Sequence, residues 1–332
     1  IGPAGERLSR IATIQTGSTS VAGQGGFGAV MGAKKLKAIS VIGTGRVRVA
    51  DPERLRGLFK AVGDHVRPYQ RGLIARYMGL DESQLPEGKL RNYACTASCP
   101  SPCQLYLADM PGCHFDRKWS GAMKCVATIF PGIPGDLPEY NWDVGLRGGM
   151  ELNVYANRLG LNHWDLLVGM IPWLSACHRE GLVETINGLA FDLNDMDFWV
   201  HLLHDIAYRR GMGDALAEGG WRAALDLDLG VEWMRRYYTG WGYAGHWDGH
   251  ASLVNPIVYP FWIVGALHWA MDTRDPASST HGYVQSVMTW GPFGRRRSRL
   301  EGRADEPAVT WDQMRAIGER VYGRADALDP VS

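Results

Sequence analysis

Glycines crowd a short segment near the start of the chain, and they restrict its fold more than any other feature. Five of the ten residues from 23 to 32 are glycine, and three lysines follow within the next five positions. Glycine lets the backbone approach a phosphate closely, and successive inward-facing amides form an anion-binding nest. The segment therefore indicates a phosphate- or pyrophosphate-binding loop, and a purely structural glycine bend is the alternative.

The same glycines match the G-x-G-x-x-G pattern of dinucleotide-binding folds, at Gly23, Gly25 and Gly28. That fold needs a crossover of at least about 10–12 residues, including a helix, before the next parallel strand. Here only about eight residues separate Gly28 from the next strand candidate, and Gly32 interrupts them. The spacing therefore disfavours a nicotinamide dehydrogenase.

Strand signals are concentrated at the start of the chain. Short apolar and β-branched runs predict strands at Ile11–Ile14, Lys37–Ile42 and Thr44–Val49. Asp51 and Pro52 then predict a helix start, because aspartate is a favoured N-cap and proline fits the first helical position.

From there to about residue 230, apolar residues recur mostly at helical spacing. The clearest stripe covers residues 163–180, with Asn162 as the expected N-cap and Gly181 just past the end. The sequence thus predicts a mainly α fold with a small β portion at the N-terminus.

Three of the six cysteines fall within nine residues, in the pattern C-x-x-x-C-P-x-P-C: Cys95, Cys99 and Cys103. This spacing lets three thiolates converge on one inorganic core, and the two prolines keep the loop non-helical. An iron–sulfur cluster is favoured. A zinc site, usually built from two C-x-x-C pairs, and three inert thiols are the alternatives. A [4Fe–4S] cluster needs a fourth ligand, and the candidates are a group outside the chain or Cys113, Cys125 and Cys177.

The composition argues against several classes of partner. Lys plus Arg and Asp plus Glu are each 35, so no net charge favours nucleic acid or an anionic membrane. No run of 18 apolar residues is present, so no membrane span is expected. Six cysteines in 332 residues are too few for a disulfide scaffold, and their clustering indicates a reducing, cytoplasmic compartment.

Two of these segments together resemble one family. Residues 1–6 (Ile-Gly-Pro-Ala-Gly-Glu) and the glycine loop within residues 22–39 resemble the end of the N-terminal β-domain of aldehyde:ferredoxin oxidoreductases. The cysteine run resembles the cluster-binding loop of that family. Asn157–Asn162 (Asn-Arg-Leu-Gly-Leu-Asn) resembles its D-x-x-G-L-D pterin-binding motif, and further likeness lies at Glu139, His281 and residues 317–320.

The resemblance implies a tungsten (or molybdenum) bis-pyranopterin cofactor beside a [4Fe–4S] cluster. It implies that an aldehyde, or a related oxo or aromatic substrate, is oxidised at the metal. Electrons would then pass to ferredoxin or another electron-transfer protein. Glu139 and His281 would transfer protons at the metal; alternatively they are a surface carboxylate and a loop histidine. The cofactor-binding residues it implies are Ala22, Gly23, Gln24, Gly25, Gly26, Asn157 and Asn162.

The resemblance also implies a domain organisation. Residues 1–49 would form the C-terminal end of the β pterin-binding domain, and residues 50–235 a helical domain with the iron–sulfur loop. Residues 236–332 would begin a further, mostly helical domain. Most of the β-domain would precede Ile1, and a further cluster cysteine would follow Ser332. The sequence is therefore expected to be part of a longer chain, in a homo- or hetero-oligomer.

Three departures from the family pattern suggest a divergent branch, near the tungsten subunit of class II benzoyl-CoA reductases. Gln24 stands where arginine is usual, which weakens charge neutralisation at the phosphates, and the cysteine run is one residue longer. Both motif aspartates are replaced, by Asn157 and Asn162, whose amides offer donors as well as acceptors. Asn162 is alternatively only a helix cap. These changes favour a second hypothesis, a non-catalytic iron–sulfur subunit of a larger redox complex.

Overall fold

The computed structural model describes residues 1–16, 20–23, 25–45, 48–70, 90–93, 104–123, 125–132, 138–234, 238–239, 242–243 and 311–326. Backbone contacts divide the chain into two units, Ile1–Trp241 and Gly242–Ser332. Described helices of the first unit are α1 (Pro3–Glu6), α2 (Phe27–Ala33), α3 (Pro52–Gln70), α4 (Gly145–Leu159), α5 (Ile171–Arg179), α6 (Met196–Tyr208), α7 (Met212–Leu216), α8 (Gly220–Asp226) and α9 (Val231–Met234). In the second unit the structure describes α10 (Trp311–Tyr322).

The strands are short. They are β1 (Ile14–Thr16), β2 (Ser20–Ala22), β3 (Leu90–Tyr93), β4 (Gln104–Pro111), β5 (Lys118–Met123), β6 (Thr185–Ile186), β7 (Leu189–Ala190), β8 (Tyr238–Thr239) and, in the second unit, β9 (Gly242–Tyr243). The prediction of a mainly α fold is confirmed. Within the described ranges, no helix is both long enough and apolar enough to cross a membrane.

The N-terminal segment differs from its predicted strand pattern. β1 and β2 form an antiparallel hairpin, with Gln15 opposite Val21. The strands predicted at Lys37–Ile42 and Thr44–Val49 do not form over their described residues, and Val41 and Ile42 are 83% and 89% exposed. β-branched residues favour extended backbone, but a strand also needs a neighbour for its amides and carbonyls. No described segment forms a β-pair with residues 37–45, so the prediction of a strand at Lys37–Ile42 is wrong, and the described residues of Thr44–Val49 form no strand.

The helix predicted at Asp51 and Pro52 is confirmed as α3. The Asp51 carboxylate accepts a hydrogen bond from the Arg54 amide at 2.9 Å, which satisfies one of the free donors at the helix start. The two-residue signal in the sequence was sufficient here because capping depends on local chemistry alone.

A three-stranded antiparallel sheet, in the order β3-β4-β5, was not anticipated from the helical periodicity. It packs on α4 through a buried cluster made of Leu107, Met110, Trp119, Met123, Met150 and Val154. Gly121 lets the helix approach the strand, because a side chain there would lie 3.0 Å from the Val154 methyl. Burial of this apolar surface, rather than strand propensity, stabilises the sheet.

The helical stripe at 163–180 is confirmed, with one irregularity. Asn162 caps its start, since its side-chain oxygen accepts from the Trp164 amide at 3.0 Å. Gly181, at φ 73°, ends it, and the Leu182 amide donates to the Cys177 carbonyl in the closing turn. Residues Asp165–Met170 form a π-helical turn before Pro172, which lacks an amide and crowds the preceding carbonyls.

A buried carboxylate ties the sheet to α4. Glu151 is fully buried, and its two oxygens accept from the amides of Cys113, His114 and Phe115 in the β4–β5 turn. They also accept from the indole nitrogen of Trp119 at 2.9 Å. Four donors thus replace the water that a carboxylate would otherwise require.

We expect Glu151→Ala to lower the free energy of unfolding by about 3 kcal/mol, because four donors, including the buried indole of Trp119, would lose their acceptor. Chemical denaturation monitored by circular dichroism measures this. Glu184→Ala, at an exposed carboxylate, is the matched control and should stay within about 0.5 kcal/mol of the wild type. Equal, small effects of both substitutions would contradict the role given to Glu151.

Candidate functional site

The glycine loop and the Asn157–Asn162 motif meet through a short backbone ladder. The Thr13 amide donates to the Gly160 carbonyl at 2.8 Å, and the Asn162 amide donates to the Ile11 carbonyl at 2.9 Å. The Gly28 amide, in turn, donates to the Ala12 carbonyl at 3.0 Å. Segments about 150 residues apart in sequence are therefore fixed side by side.

Glycine is required in the loop for two different reasons. Gly25 and Gly26 have φ angles of 87° and 67°, in the left-handed region. A side chain at Gly26 would also lie 2.4 Å from the Arg10 carbonyl oxygen. Gly23 has no such restriction: its nearest neighbours are Val21 and the Asn162 side-chain oxygen, at 3.5 and 3.6 Å. Gly26 is thus needed by the fold, whereas a Cβ at Gly23 would meet Val21 and Asn162 only at ordinary contact distance.

The loop can accept an anion through its backbone. The amides of Gly25, Gly26 and Phe27 have no hydrogen-bond acceptor among the described residues. Consecutive amides in left-handed and turn conformations form a concave anion-binding surface. Ala22 and Gly25 are exposed at this place, and Gln24 lies outside the described residues.

An open cleft lies between the N-terminal segment and α4. Its volume is about 300 Å³, and it is lined by Ile1, Gly2, Gln15, Ser120, Val154, Asn157 and Arg158. Asn157 and Arg158 belong to the last turn of α4, and Ser120 belongs to the sheet. The cleft therefore adjoins the predicted pterin-binding motif and β5 at once.

The amide of Asn157 is held on both sides. Its oxygen accepts from Gln15 Nε2 at 3.5 Å, and its nitrogen donates to the Asn153 side-chain oxygen at 3.2 Å. Asn153, 2% exposed, donates to the Ala122 carbonyl of β5 at 3.0 Å. Each link is neutral and directional, so the network fixes which atoms Asn157 presents.

Asn162 serves the fold as well as the cleft region. Besides capping the following helix, it donates to the Asp165 carboxylate. The structure thus supports the reading of Asn162 as a helix cap, and it also places the residue beside Gly23.

The cysteine loop lies outside the described residues, but its base is described. β3 and β4 pair from Leu90 opposite Leu107 to Tyr93 opposite Gln104. Residues 94–103, which carry Cys95, Cys99 and Cys103, join the two paired ends. Paired Cα atoms in an antiparallel sheet are about 4.5–5.5 Å apart, so the two ends of this ten-residue segment begin side by side at one end of the hairpin.

The candidates for a fourth thiolate differ in their surroundings. Cys177 is fully buried in α5, and burial raises the pKa of its thiol to about 11. Cys113 is exposed, and partial burial raises its pKa as well. Cys125 begins a 3₁₀ turn. In the part of the chain that the structure describes, no three His, Cys, Asp or Glu residues converge on a metal position.

Glu139 is buried, which removes the reading of a surface carboxylate. It lies in a 3₁₀ turn (Pro138–Tyr140), is 7% exposed, and pairs with Arg179 at 3.1 Å. His281, the second predicted proton-transfer residue, lies outside the described residues.

His163, directly after Asn162, was not singled out from the sequence. Its ring meets the Phe130 ring edge-on, with centroids 5.0 Å apart. Its Nε2 is buried and has no hydrogen-bond partner among the described residues. Burial lowers the pKa of His163 to about 4, so the imidazole is neutral near pH 7. A lone histidine beside a helix cap gives no sequence signal that would reveal this.

We expect Gly26→Ala to cost about 2 kcal/mol of stability, since it combines a left-handed backbone with a close backbone contact. Gly23→Ala should change the unfolding free energy by less than about 1 kcal/mol, because the position has room and an ordinary backbone. Denaturant titration of both variants checks the difference. Comparable losses would show that Gly23 is also a structural glycine.

His163 should make stability depend on pH. Its folded pKa of about 4 lies below the ordinary value of 6.5, so the unfolded chain takes up the proton first as pH falls. The stability it contributes is present above pH 6.5 and is lost towards pH 4, by about 2 kcal/mol between pH 7 and 4.5.

His163→Phe should remove this part of the pH dependence in urea denaturation at the two pH values. His201→Gln, at an exposed histidine of α6, should keep it. The same pH dependence in wild type and His163→Phe would contradict the buried, neutral imidazole.

The sequence matches two family models. Residues 1–43 match "Aldehyde ferredoxin oxidoreductase, N-terminal domain", and residues 62–248 match "Aldehyde ferredoxin oxidoreductase, domains 2 & 3". The second match alone covers more than half of the chain.

Individual relatives agree. The tungsten-containing aldehyde ferredoxin oxidoreductase of Pyrococcus horikoshii is 30% identical over 76% of this chain and 46% of that protein. The aliphatic sulfonate oxidoreductase, WOR-like subunit, of Pyrococcus furiosus is 28% identical over 68% of this chain and 40% of that protein. The chain thus spans about half the length of the curated relatives it matches.

A solved structure, the active site complex BamBC of benzoyl coenzyme A reductase with 1,5-dienoyl-CoA, superposes with a TM-score of 0.53. It is 22% identical and covers 74% of this chain and 41% of that chain, so the likeness shows a shared fold. Together with the family matches over residues 1–43 and 62–248, the glycine loop and the Asn157–Asn162 motif identify the chain as a member of the aldehyde ferredoxin oxidoreductase family.

Proposed function

We propose that the chain belongs to a tungsten- or molybdenum-pterin oxidoreductase that oxidises an aldehyde or related oxo substrate. Electrons would leave through a [4Fe–4S] cluster to ferredoxin or another electron-transfer protein. One observation carries the proposal: the glycine loop lies beside the Asn157–Asn162 motif, and that motif and Ser120 of β5, in the β3-β4-β5 sheet, line one cleft.

The residues present fit a phosphate-bearing pterin. Among the described residues the amides of Gly25 and Gly26 have no hydrogen-bond acceptor, which suits a phosphate. Asn157 and Asn162 offer amide groups to a ring edge. When bound, such a cofactor supplies the redox chemistry at its metal, and the protein binds and orients it. The proposed binding residues are Ala22, Gly23, Gln24, Gly25, Gly26, Asn157 and Asn162.

We propose that Glu139 and His281 transfer protons at the metal. Oxidation of an aldehyde with water releases protons along with electrons, so the site needs groups that accept them. Arg179 holds the Glu139 carboxylate in one position through a 3.1 Å ion pair. That contact supports a fixed geometry for a proton acceptor.

Cys95, Cys99 and Cys103 are proposed to hold the cluster at the β3–β4 hairpin end. The fourth-ligand candidates Cys113 and Cys177 differ in position, because Cys177 is buried in α5 whereas Cys113 is exposed. The hairpin packs on α4 beside the cleft, which supports electron transfer between two neighbouring centres.

The substrate is proposed only as a class. The relatives' names include both an aldehyde ferredoxin oxidoreductase and an aliphatic sulfonate oxidoreductase subunit, and an aromatic substrate fits the same chemistry. We place the protein in the cytoplasm, because thiolate clusters need a reducing compartment. The proposed domain layout remains 1–49, 50–235 and 236–332, in a homo- or hetero-oligomer.

Gln24, Asn157 and Asn162 are neutral where the family usually has charged side chains, and this favours one alternative, a non-catalytic iron–sulfur electron-transfer subunit. That protein would contain iron but no pterin. The retained glycine loop opposes this alternative.

Serine in place of Cys95, Cys99 or Cys103 in the full-length protein, purified anaerobically, should sharply reduce bound iron and abolish aldehyde-dependent dye reduction. Thiolates bind the cluster, and a serine hydroxyl is a poor substitute. Cys113→Ser, at an exposed cysteine outside the run, is the matched comparison, and retained iron there would also exclude it as fourth ligand. Unchanged iron in all three run variants would overturn the cluster assignment.

A further inference from the structure

The proposed phosphate site lacks a cation in its loop. Residues 22–28 contain no charged side chain, and Gln24 is neutral. Backbone amides alone supply only partial charges, whereas phosphate recognition in proteins commonly includes arginine or lysine. Of the nearby cations, Lys37 pairs with Glu6 at 2.9 Å and Arg10 pairs with Glu218 at 2.6 Å, whereas Lys34 and Lys35 are exposed and do not line the cleft.

Among the described lysines and arginines, Arg158 is the one that lines the cleft. It lies next to Asn157, in the last turn of α4. No carboxylate among the described residues lies within ion-pair distance of its guanidinium. A cation without a counterion on the wall of a cleft is a place where an anionic ligand gains charge-assisted hydrogen bonds without first displacing a carboxylate.

The guanidinium is also held in place. Its central carbon lies 4.9 Å from the ring centroid of Trp119, which is 2% exposed. The Trp119 indole is itself fixed, because its nitrogen donates to the buried Glu151 carboxylate at 2.9 Å. Stacking on a fixed ring reduces the side-chain entropy that an arginine loses on binding.

We infer that Arg158 binds a phosphate group of the cofactor in this cleft and supplies positive charge there. The inference rests on the proposed function, since it presumes a phosphate-bearing pterin. Arginine suits the role because its planar fork can bind two phosphate oxygens at once.

The test compares three variants of the full-length protein purified anaerobically: Arg158→Gln, Arg158→Lys and Arg117→Gln. Arg117 is the matched control, because its guanidinium lies 4.0 Å from the same Trp119 ring but does not line the cleft. Bound pterin is measured after acid release and oxidation by its fluorescence, together with phosphate, iron and the unfolding midpoint.

Arg158→Gln should retain about tenfold less pterin and phosphate than the wild type, as expected for the loss of a charge-assisted hydrogen bond, with iron unchanged. Arg158→Lys should be intermediate, since it keeps the charge but not the fork. Arg117→Gln should match the wild type in pterin, phosphate and iron.

Wild-type pterin in Arg158→Gln would overturn the inference and leave the proposed function standing. An equal loss of pterin in Arg117→Gln would also overturn it, because the cause would then be the shared contact with Trp119. A wild-type protein without any pterin would overturn the proposed function itself, and the inference with it.

Discussion

The helix α4 and the left-handed turn at Gly160 that ends it connect the parts of the first unit. One face of the helix buries Met150 and Val154 against the sheet, and Glu151 holds the far turn of that sheet with four donated hydrogen bonds. Gly160 ends the helix with a φ of 80°. Gly2 lies against this turn so closely that a side chain there would come within 2.4 Å of the Leu159 carbonyl oxygen. Apolar burial and backbone contacts, rather than surface ion pairs, therefore position the glycine loop and the β3–β4 hairpin on one shared support, α4 and its terminal turn.

This support gives the proposed site its electrostatic character. The wall around the last turn of α4 consists of amides, because Gln15, Asn157 and Asn153 bind one another in a neutral network. The residues that line the cleft include no carboxylate side chain. The nearby Glu151 carboxylate instead accepts hydrogen bonds from the sheet, including one from the Trp119 indole. A cleft lined by amide side chains and Arg158, without a carboxylate among its lining residues, suits an anionic ligand, because no carboxylate has to be desolvated or repelled.

Local chemistry in the sequence predicted local structure well. Asp51 and Asn162 were recognised as helix caps, and Gly181 as a helix end, because these roles depend on neighbouring residues only. The strands at residues 37–49 and the β3-β4-β5 sheet were misjudged, because pairing depends on segments distant in sequence. For the same reason the glycine loop and Asn157–Asn162 could be recognised as motifs, whereas the roles of Glu151, His163 and Arg158 emerged only from packing.

The central claim is that one polypeptide holds a pterin metal centre and an iron–sulfur cluster on this shared support. Metal and pterin analysis of the full-length protein, purified anaerobically, tests it most directly. The account predicts tungsten or molybdenum bound with pterin, together with about four iron atoms per polypeptide. Iron without tungsten, molybdenum or pterin would contradict it and favour the electron-transfer subunit, and the absence of all of these would contradict both.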